Sequence, residues 1–437
     1  MVVLCLLTMV GCRPDPQDSV DALLDDALRN ASNGQGRSYF RLPTDGDLSS
    51  IPQDPNNRIT REKVELGKML FHETALGTNP RVGAGEKTYS CASCHHAQGG
   101  FQANMKQGIG EGGYGFGAMG EGRIPMSAYP VDSLDVQPIR TPSALNVAYQ
   151  RVSLWNGQFG ATGPNVGTQA QWTAGTPIEN NHLGYQGPEI QAIAGLTVHR
   201  LAVDNLLNDA PGYQELFRQA FPNINPQDRV TTENAGLAIA AYERTLLASQ
   251  APFQRWLRGD VNAMTEQQKL GAVLFFDKAR CYACHNGPAL NSDEFHALGM
   301  GNLDGSGIYG TDGSETAHLG RGGFTGNNDD LYKFKVPQLY NLQNSAFYGH
   351  GGTFTSIESV IRYKNAAVAQ NADVPTSALA DEFVALNLSE QEISDLAAFV
   401  GSALRDDNLD RFVPYSTPSG QCFPNADAAS STDLGCD

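Results

Sequence analysis

Basic residues are scarce in this 437-residue chain: 30 Lys and Arg stand against 47 Asp and Glu, a formal net charge of −17. That balance argues against nucleic acid or an anionic membrane surface as a partner. It suits a cationic partner or a solvated acidic surface. Long apolar runs are also lacking. Val2 to Val10 is too short to span a bilayer, and no other segment reads as a membrane helix. Charged residues make up 18% and hydrophobic ones 41%, the proportions of a globular chain, so disorder is not the default. The length leaves room for two or three domains, each with its own core.

Cysteine is sparse, eight in all, but its placement is informative. Four lie in two copies of C-x-x-C-H: Cys91-Ala-Ser-Cys94-His95 and Cys281-Tyr-Ala-Cys284-His285. In this pentapeptide each thiol adds across a haem vinyl group and the histidine becomes the proximal iron ligand. One copy alone is compatible with half a zinc site, but C-x-x-C-H lacks the paired spacing of a zinc ribbon. Both copies also follow similar stretches, Leu66-Gly67-Lys68-Met69-Leu70-Phe71 and Leu270-Gly271-Ala272-Val273-Leu274-Phe275. The pattern predicts a duplicated c-type haem domain carrying two covalent haems. Cys422 and Cys436 lie in a polar tail and read as a disulfide, which requires an oxidising compartment. Cys5 and Cys12 remain. The run ending Met9-Val10-Gly11-Cys12 resembles a bacterial lipoprotein box with Cys12 lipidated, although no Lys or Arg precedes it. The alternative is an ordinary cleaved signal peptide.

Helices are expected over Arg61 to Phe71, Glu233 to Ser249 and Glu266 to Phe276, the last opened by a Thr265-x-x-Gln268 capping box. Ser389-x-x-Glu392 opens a closing helix through Leu396, Phe399, Val400 and Leu404. The Gly-rich stretches Gly108 to Gly122 and Gly299 to Gly326 cannot be stable helices. They are flexible linkers, or loops that pack their backbone against something flat such as a haem. The expected fold is mostly α: two cytochrome c-like haem domains related by duplication, with long Gly-rich loops.

Several ordered motifs carry a resemblance. They include Thr141-Pro142-Ser143-x-Leu145-Asn146, Trp155-Asn156-Gly157, Gln169-Ala170, Pro177-Ile178 and Tyr242-Glu243-Arg244-Thr245-Leu246. Phe334-Lys335-Val336-Pro337 and Phe347-Tyr348-Gly349-His350-Gly351-Gly352 complete the set. From about Thr60 to Phe412 the chain resembles the bacterial di-haem cytochrome c peroxidases, including the MauG-like enzymes. Composition reads 1–12 as a signal peptide or lipobox and 13–55 as a polar tether or wrapping arm, and the resemblance implies an N-terminal peroxidatic haem domain at 56–255. A C-terminal electron-transfer haem domain at 256–412 and a polar tail at 413–437 follow. It further implies a periplasmic enzyme that reacts with hydrogen peroxide at the His95 haem. Trp155 would bridge to the His285 haem, and Tyr363 would be that haem's sixth ligand, as in MauG-like members, with Met300 as a rival.

Proton transfer at the open haem is assigned to Gln169 with either His182 or Glu179, depending on the alignment anchor. Three departures stand out. Glu111 replaces a histidine that caps the iron in inactive-resting members, implying an open site. Arg140 replaces an asparagine of the family's inter-domain calcium site, which puts calcium in question. Asn156 and Gln158 replace the usual Asp and Arg beside the bridge. The electron source would be a small cytochrome c or cupredoxin, or a partner protein whose Trp or Tyr is oxidised. A membrane would be met only through a lipid on Cys12, and a homodimer is open. The competing class is a di-haem electron carrier without turnover.

Overall fold

The computed structural model describes residues 16–311 and 315–436, so Cys5, Cys12 and the lipobox lie outside the described residues. Twelve α-helices occur there. They are α1 (Pro16–Ala31), α2 (Arg61–His72), α3 (Gly187–Val198), α4 (Leu206–Asp209), α5 (Tyr213–Ala220) and α6 (Thr232–Thr245). Then come α7 (Pro252–Leu257), α8 (Glu266–Phe276), α9 (Arg321–Thr325), α10 (Ile357–Ala366), α11 (Glu390–Ala398) and α12 (Ala428–Leu434). The only strands among the described residues form two short antiparallel ribbons. In one, β1 (Gly113–Tyr114) pairs with β2 (Ile124–Pro125); in the other, β3 (Phe295–His296) pairs with β4 (Phe334–Lys335). The fold is therefore mostly α, with no described helix long and apolar enough to cross a membrane.

Two helix crossings organise the molecule, and each depends on a glycine. On α2, Leu66, Leu70 and Phe71 are fully buried against α6. A Cβ at Gly67 would lie 1.9 Å from the Ala238 carbonyl oxygen. On α8, a Cβ at Gly271 would lie 1.9 Å from the Asp395 carbonyl oxygen of α11. The shared Leu-Gly pair thus plays the same part in both halves: it lets two helix backbones touch. Capping fixes where these helices begin. The Thr60 hydroxyl accepts from Lys63 N at 3.2 Å, and Thr265 and Gln268 form a complete capping box. Helix α6 ends at Thr245, earlier than expected. Beyond it Leu246 to Ser249 run on as buried non-helical chain, with Asn146 N donating to the Leu246 carbonyl at 2.7 Å.

Residues 16–55 pack against the body of the protein. Helix α1 inserts Leu24, Ala27, Leu28 and Ala31 into the same core as Phe275, Phe276, Leu396 and Phe399. These four residues recur at helical spacing, a stripe that the Asp-rich composition masks. Asp21 pairs with the buried Lys269 at 2.8 Å and accepts from the Trp256 indole at 2.7 Å. Arg37 stacks on the same indole, 3.7 Å from its centroid.

The C-terminal tail crosses the other way. Cys422 and Cys436 are disulfide-bonded. The Pro424 carbonyl accepts from the Ser90 hydroxyl at 2.8 Å and the Ser93 hydroxyl at 3.2 Å, directly behind the first C-x-x-C-H. Asp427 pairs at 3.4 Å with Arg123, and both side chains are buried. Arg123 in turn donates to the Ile109 and Gly110 carbonyls at 2.6 and 2.7 Å. The 108–122 stretch is therefore a pinned loop rather than a linker. A Cβ at Gly108 would come within 2.9 Å of Cys94 Sγ, so the loop backbone does pack closely against the first motif.

Candidate functional site

Both C-x-x-C-H segments fold into the same turn. The His95 amide donates to the Cys91 carbonyl at 3.2 Å, and the His285 amide donates to the Cys281 carbonyl at 2.9 Å. In each, Nδ1 faces a main-chain carbonyl: Phe101 at 3.1 Å for His95, Pro337 at 3.0 Å and Leu290 at 3.2 Å for His285. A carbonyl only accepts, so Nδ1 carries the proton and the Nε2 lone pair is left for a ligand. Burial pulls both imidazoles down to about 4, which keeps them neutral. The four motif cysteines form no disulfide. Burial pushes the thiols of Cys91, Cys94 and Cys281 up to about 12. Neutral paired thiols and an Nδ1-anchored imidazole are the donor set that covalent haem attachment uses, so the residues present fit that group.

One cavity of about 790 Å³ has both motifs on its wall. Cys91, Cys94 and His95 line one part, Cys281, Cys284 and His285 another, and Trp155 also belongs to the wall. The Trp155 indole donates to the Arg140 carbonyl at 2.8 Å, its own carbonyl accepts from Lys335 N at 2.7 Å, and its ring meets His350 edge-on at 6.2 Å. Its orientation is therefore set by two hydrogen bonds and an aromatic contact. Arg140 is buried, donating to Gln102 Oε1 at 3.0 Å and Ser345 Oγ at 2.7 Å. It ties together segments from both halves. Among the described residues, no group of three or more His, Cys, Asp or Glu side chains is arranged to hold a bare metal ion.

Four sequence-expected residues do not reach this wall. Gln169, on the turn Gln169–Gln171, and Glu179 and His182, on the segment Pro177–Leu183, are all exposed, and the wall there is made by Pro177. Glu179 accepts from Gly175 N at 2.7 Å. His182 Nε2 donates to the Trp172 carbonyl at 3.1 Å, and its ring packs on that indole at 5.1 Å. Tyr363 is the fourth. It is buried, but its hydroxyl donates to the Leu298 carbonyl and its ring lies between Phe354 and Phe383, at 5.0 and 5.3 Å. The α10 residues on the wall are Ile357, Val360, Ile361 and Lys364. Glu111, at the capping position, is held by Arg200, by the Tyr129 hydroxyl at 2.8 Å and by Arg81 N at 2.5 Å, and is absent from the wall.

The structure also adds wall residues that sequence reasoning passed over. Glu243 faces the cavity near Cys91, and burial, with Glu189 adding to it, raises its carboxyl to about 8. Lys364 borders the second motif, and burial pulls its ammonium down to about 8. Gln158, one of the two departures beside the bridge, lines the wall with Trp155. Glu243 was legible only as part of the Tyr-Glu-Arg-Thr-Leu motif; nothing in the sequence marked Lys364.

Residues 61–262 match the family described as di-haem cytochrome c peroxidase. The methylamine utilization protein MauG of Methylorubrum extorquens is 30% identical over 366 residues, covering 83% of each chain. The cytochrome c551 peroxidase of Pseudomonas aeruginosa is 26% identical, covering 77% of this chain and 80% of its own. The crystal structure of a MauG-like protein associated with microbial copper homeostasis shares the fold, with a TM-score of 0.57 and 23% identity. It covers 84% of this chain and 95% of its own. Similarity at this level over 83% of both chains, with twin attachment turns facing one cavity, means that the chain belongs to the MauG-like, di-haem cytochrome c peroxidase family of oxidoreductases.

Proposed function

We propose that the chain is a periplasmic di-haem c oxidoreductase that consumes hydrogen peroxide at the His95 haem and passes electrons through the His285 haem. The units would be 56–255 and 256–412, related by duplication, with 13–55 and 413–437 as crossing arms. The observation that carries this reading is the single cavity bordered by both attachment turns with Trp155 on its wall. Bound there, the haems would supply the redox chemistry with peroxide. The protein's own part is to hold, orient and couple them. Carbonyl-anchored Nδ1 atoms fix the proximal imidazoles. The hydrogen-bonded indole offers an aromatic step between two redox centres.

Glu111 is engaged by Arg200 and Tyr129, which supports a first site left uncapped at rest. For proton handling, Gln169 with Glu179 is the preferred pair. Only one Glu179 oxygen is engaged, by Gly175 N, whereas His182 is committed to Trp172. Both residues would have to approach the cavity beside Pro177 when substrate and haem are in place. Arg140, hydrogen-bonded across the two halves, does the bridging work expected of a calcium ion. The MauG relatives favour a partner protein's aromatic side chain as the electron source over a small cytochrome or cupredoxin. The net charge of −17 suits a cationic docking face. Cys12 would anchor the protein to a membrane through lipid.

The test is to mix ferric protein, matured with its haems, with one equivalent of peroxide in a stopped-flow spectrometer. A rapid spectral change that a reduced partner reverses is the expected result. An unchanged spectrum would leave a di-haem electron carrier.

A further inference from the structure

We propose that Lys364 is the sixth ligand of the His285 haem, its amine nitrogen taking the coordination position that sequence reasoning gives to Tyr363. This rests on the di-haem reading above. Helix register is the first support. At 3.6 residues per turn, a residue seven positions along a helix returns to within ~20° of the first, while one six positions along is rotated by ~120°. Ile357 lines the cavity, so Lys364 shares its face and Tyr363 does not. The contacts agree. The Tyr363 hydroxyl is already spent on the Leu298 carbonyl.

The second support is what Lys364 lacks. The neighbouring Arg362 turns outward and pairs with Glu358 and Glu390, both at 2.6 Å. Lys364 has no ion pair and no hydrogen-bond acceptor among the described residues. The nearest aromatic ring centroid recorded for its Nζ is that of Phe383, at 5.8 Å. The carboxylates Asp381 and Glu382 are on the same wall, but Glu382 faces His296 at 3.5 Å and neither pairs with Lys364, so an ammonium half-buried beside Val360, Ile361 and Phe383 is unfavourable. A nitrogen donor that shares its lone pair with a metal removes that conflict. Lys364 lines the same cavity as Cys281, Cys284 and His285, close enough for its charge to act on all three. Met300 is on the same wall, yet a thioether packs there at no cost and needs no partner.

The test uses the full chain matured in a cytochrome c-assembling host. Haem content by pyridine haemochrome is measured first, and fewer than two haems in the wild type would end the di-haem reading itself. With two haems present, low-temperature electron paramagnetic resonance and near-infrared magnetic circular dichroism of the ferric protein identify the ligand pair of the low-spin haem. The expected wild-type signature is histidine–amine. Lys364→Ala should lose that low-spin species to high-spin with both haems retained. Lys364→Met should restore a low-spin haem with a histidine–thioether band, which shows the variants are folded. Tyr363→Phe and Met300→Leu should leave the wild-type spectrum unchanged. A Lys364→Ala protein that keeps its low-spin signal would overturn the proposal and leave Lys364 as a partner for a haem carboxylate. Loss of that signal in either control variant would overturn it too.

Discussion

Gly67→Ala tests the helix crossing on which the first half is built. The new Cβ would lie 1.9 Å from Ala238 O, 2.5 Å from its carbonyl carbon and 2.9 Å from Ile239 N. These are main-chain atoms of α6, so no side-chain rotation relieves the contact. Restoring ordinary separation requires α2 and α6 to part by roughly 1–1.5 Å, which loosens Leu66, Leu70 and Phe71 against their neighbours. Overpacking of this kind costs about 1–3 kcal/mol and more where backbone must move. Alanine's better helix propensity offsets about 1 kcal/mol of that. A net loss of about 2 kcal/mol follows, which for a unit of ~200 residues lowers the melting temperature by about 4–8 °C. Thermal melts of the holoprotein followed by far-ultraviolet circular dichroism measure it. Gly271→Ala, with 1.9 Å to Asp395 O, should behave alike in the second half. If Gly67→Ala melts at or above the wild-type temperature, propensity outweighs contact and the crossing is not backbone-limited.

Other perturbations probe the bridge, the arms and the cavity wall. Trp155→Phe should keep both haems and the reaction with peroxide but slow electron transfer between the centres, read as a delayed second phase in stopped-flow traces; an unaltered phase would remove the indole from the route. Asp427→Ala strands the buried Arg123 without its counter-charge, a loss of about 3–5 kcal/mol. Faster protease cleavage of the 108–122 loop and of the tail is expected, and wild-type resistance would count against the pinning. Glu243 carries a carboxyl raised to about 8 by burial, so the folded state holds its proton where the unfolded chain, with an ordinary value of 4.5, has released it. Its stabilising share is complete below about pH 4.5 and is lost as pH rises toward 8. Glu243→Gln should flatten that part of the stability profile. Denaturation midpoints between pH 5 and 8 decide the matter, and parallel wild-type and variant curves would refute the assignment.

Much of the architecture was legible because its signals are local. The capping boxes at Thr265 and Ser389 are satisfied within four residues, and the helices begin there. The repeated Leu-Gly pair pointed to two equivalent helices, and the disulfide was readable from an isolated cysteine pair. Composition leaves 13–55 open between tether and wrapping arm because it averages over a window, whereas the Leu24–Leu28 stripe speaks only through its spacing. Gln169, Glu179 and His182 follow from counting along the chain. Counting cannot tell which side of a short 3-10 turn faces inward, and there the wall is Pro177.

From sequence alone came the two attachment pentapeptides, their duplication, the family and the mainly helical character, since covalent chemistry and helical periodicity are written in adjacent residues. Which α10 side chain enters the cavity, how the two arms cross, and that Trp155 stands on a wall common to both turns were decided only in three dimensions. One residue of register turns a helical side chain by ~100°. That rotation separates Tyr363, which meets a carbonyl, from Lys364, which meets the cavity.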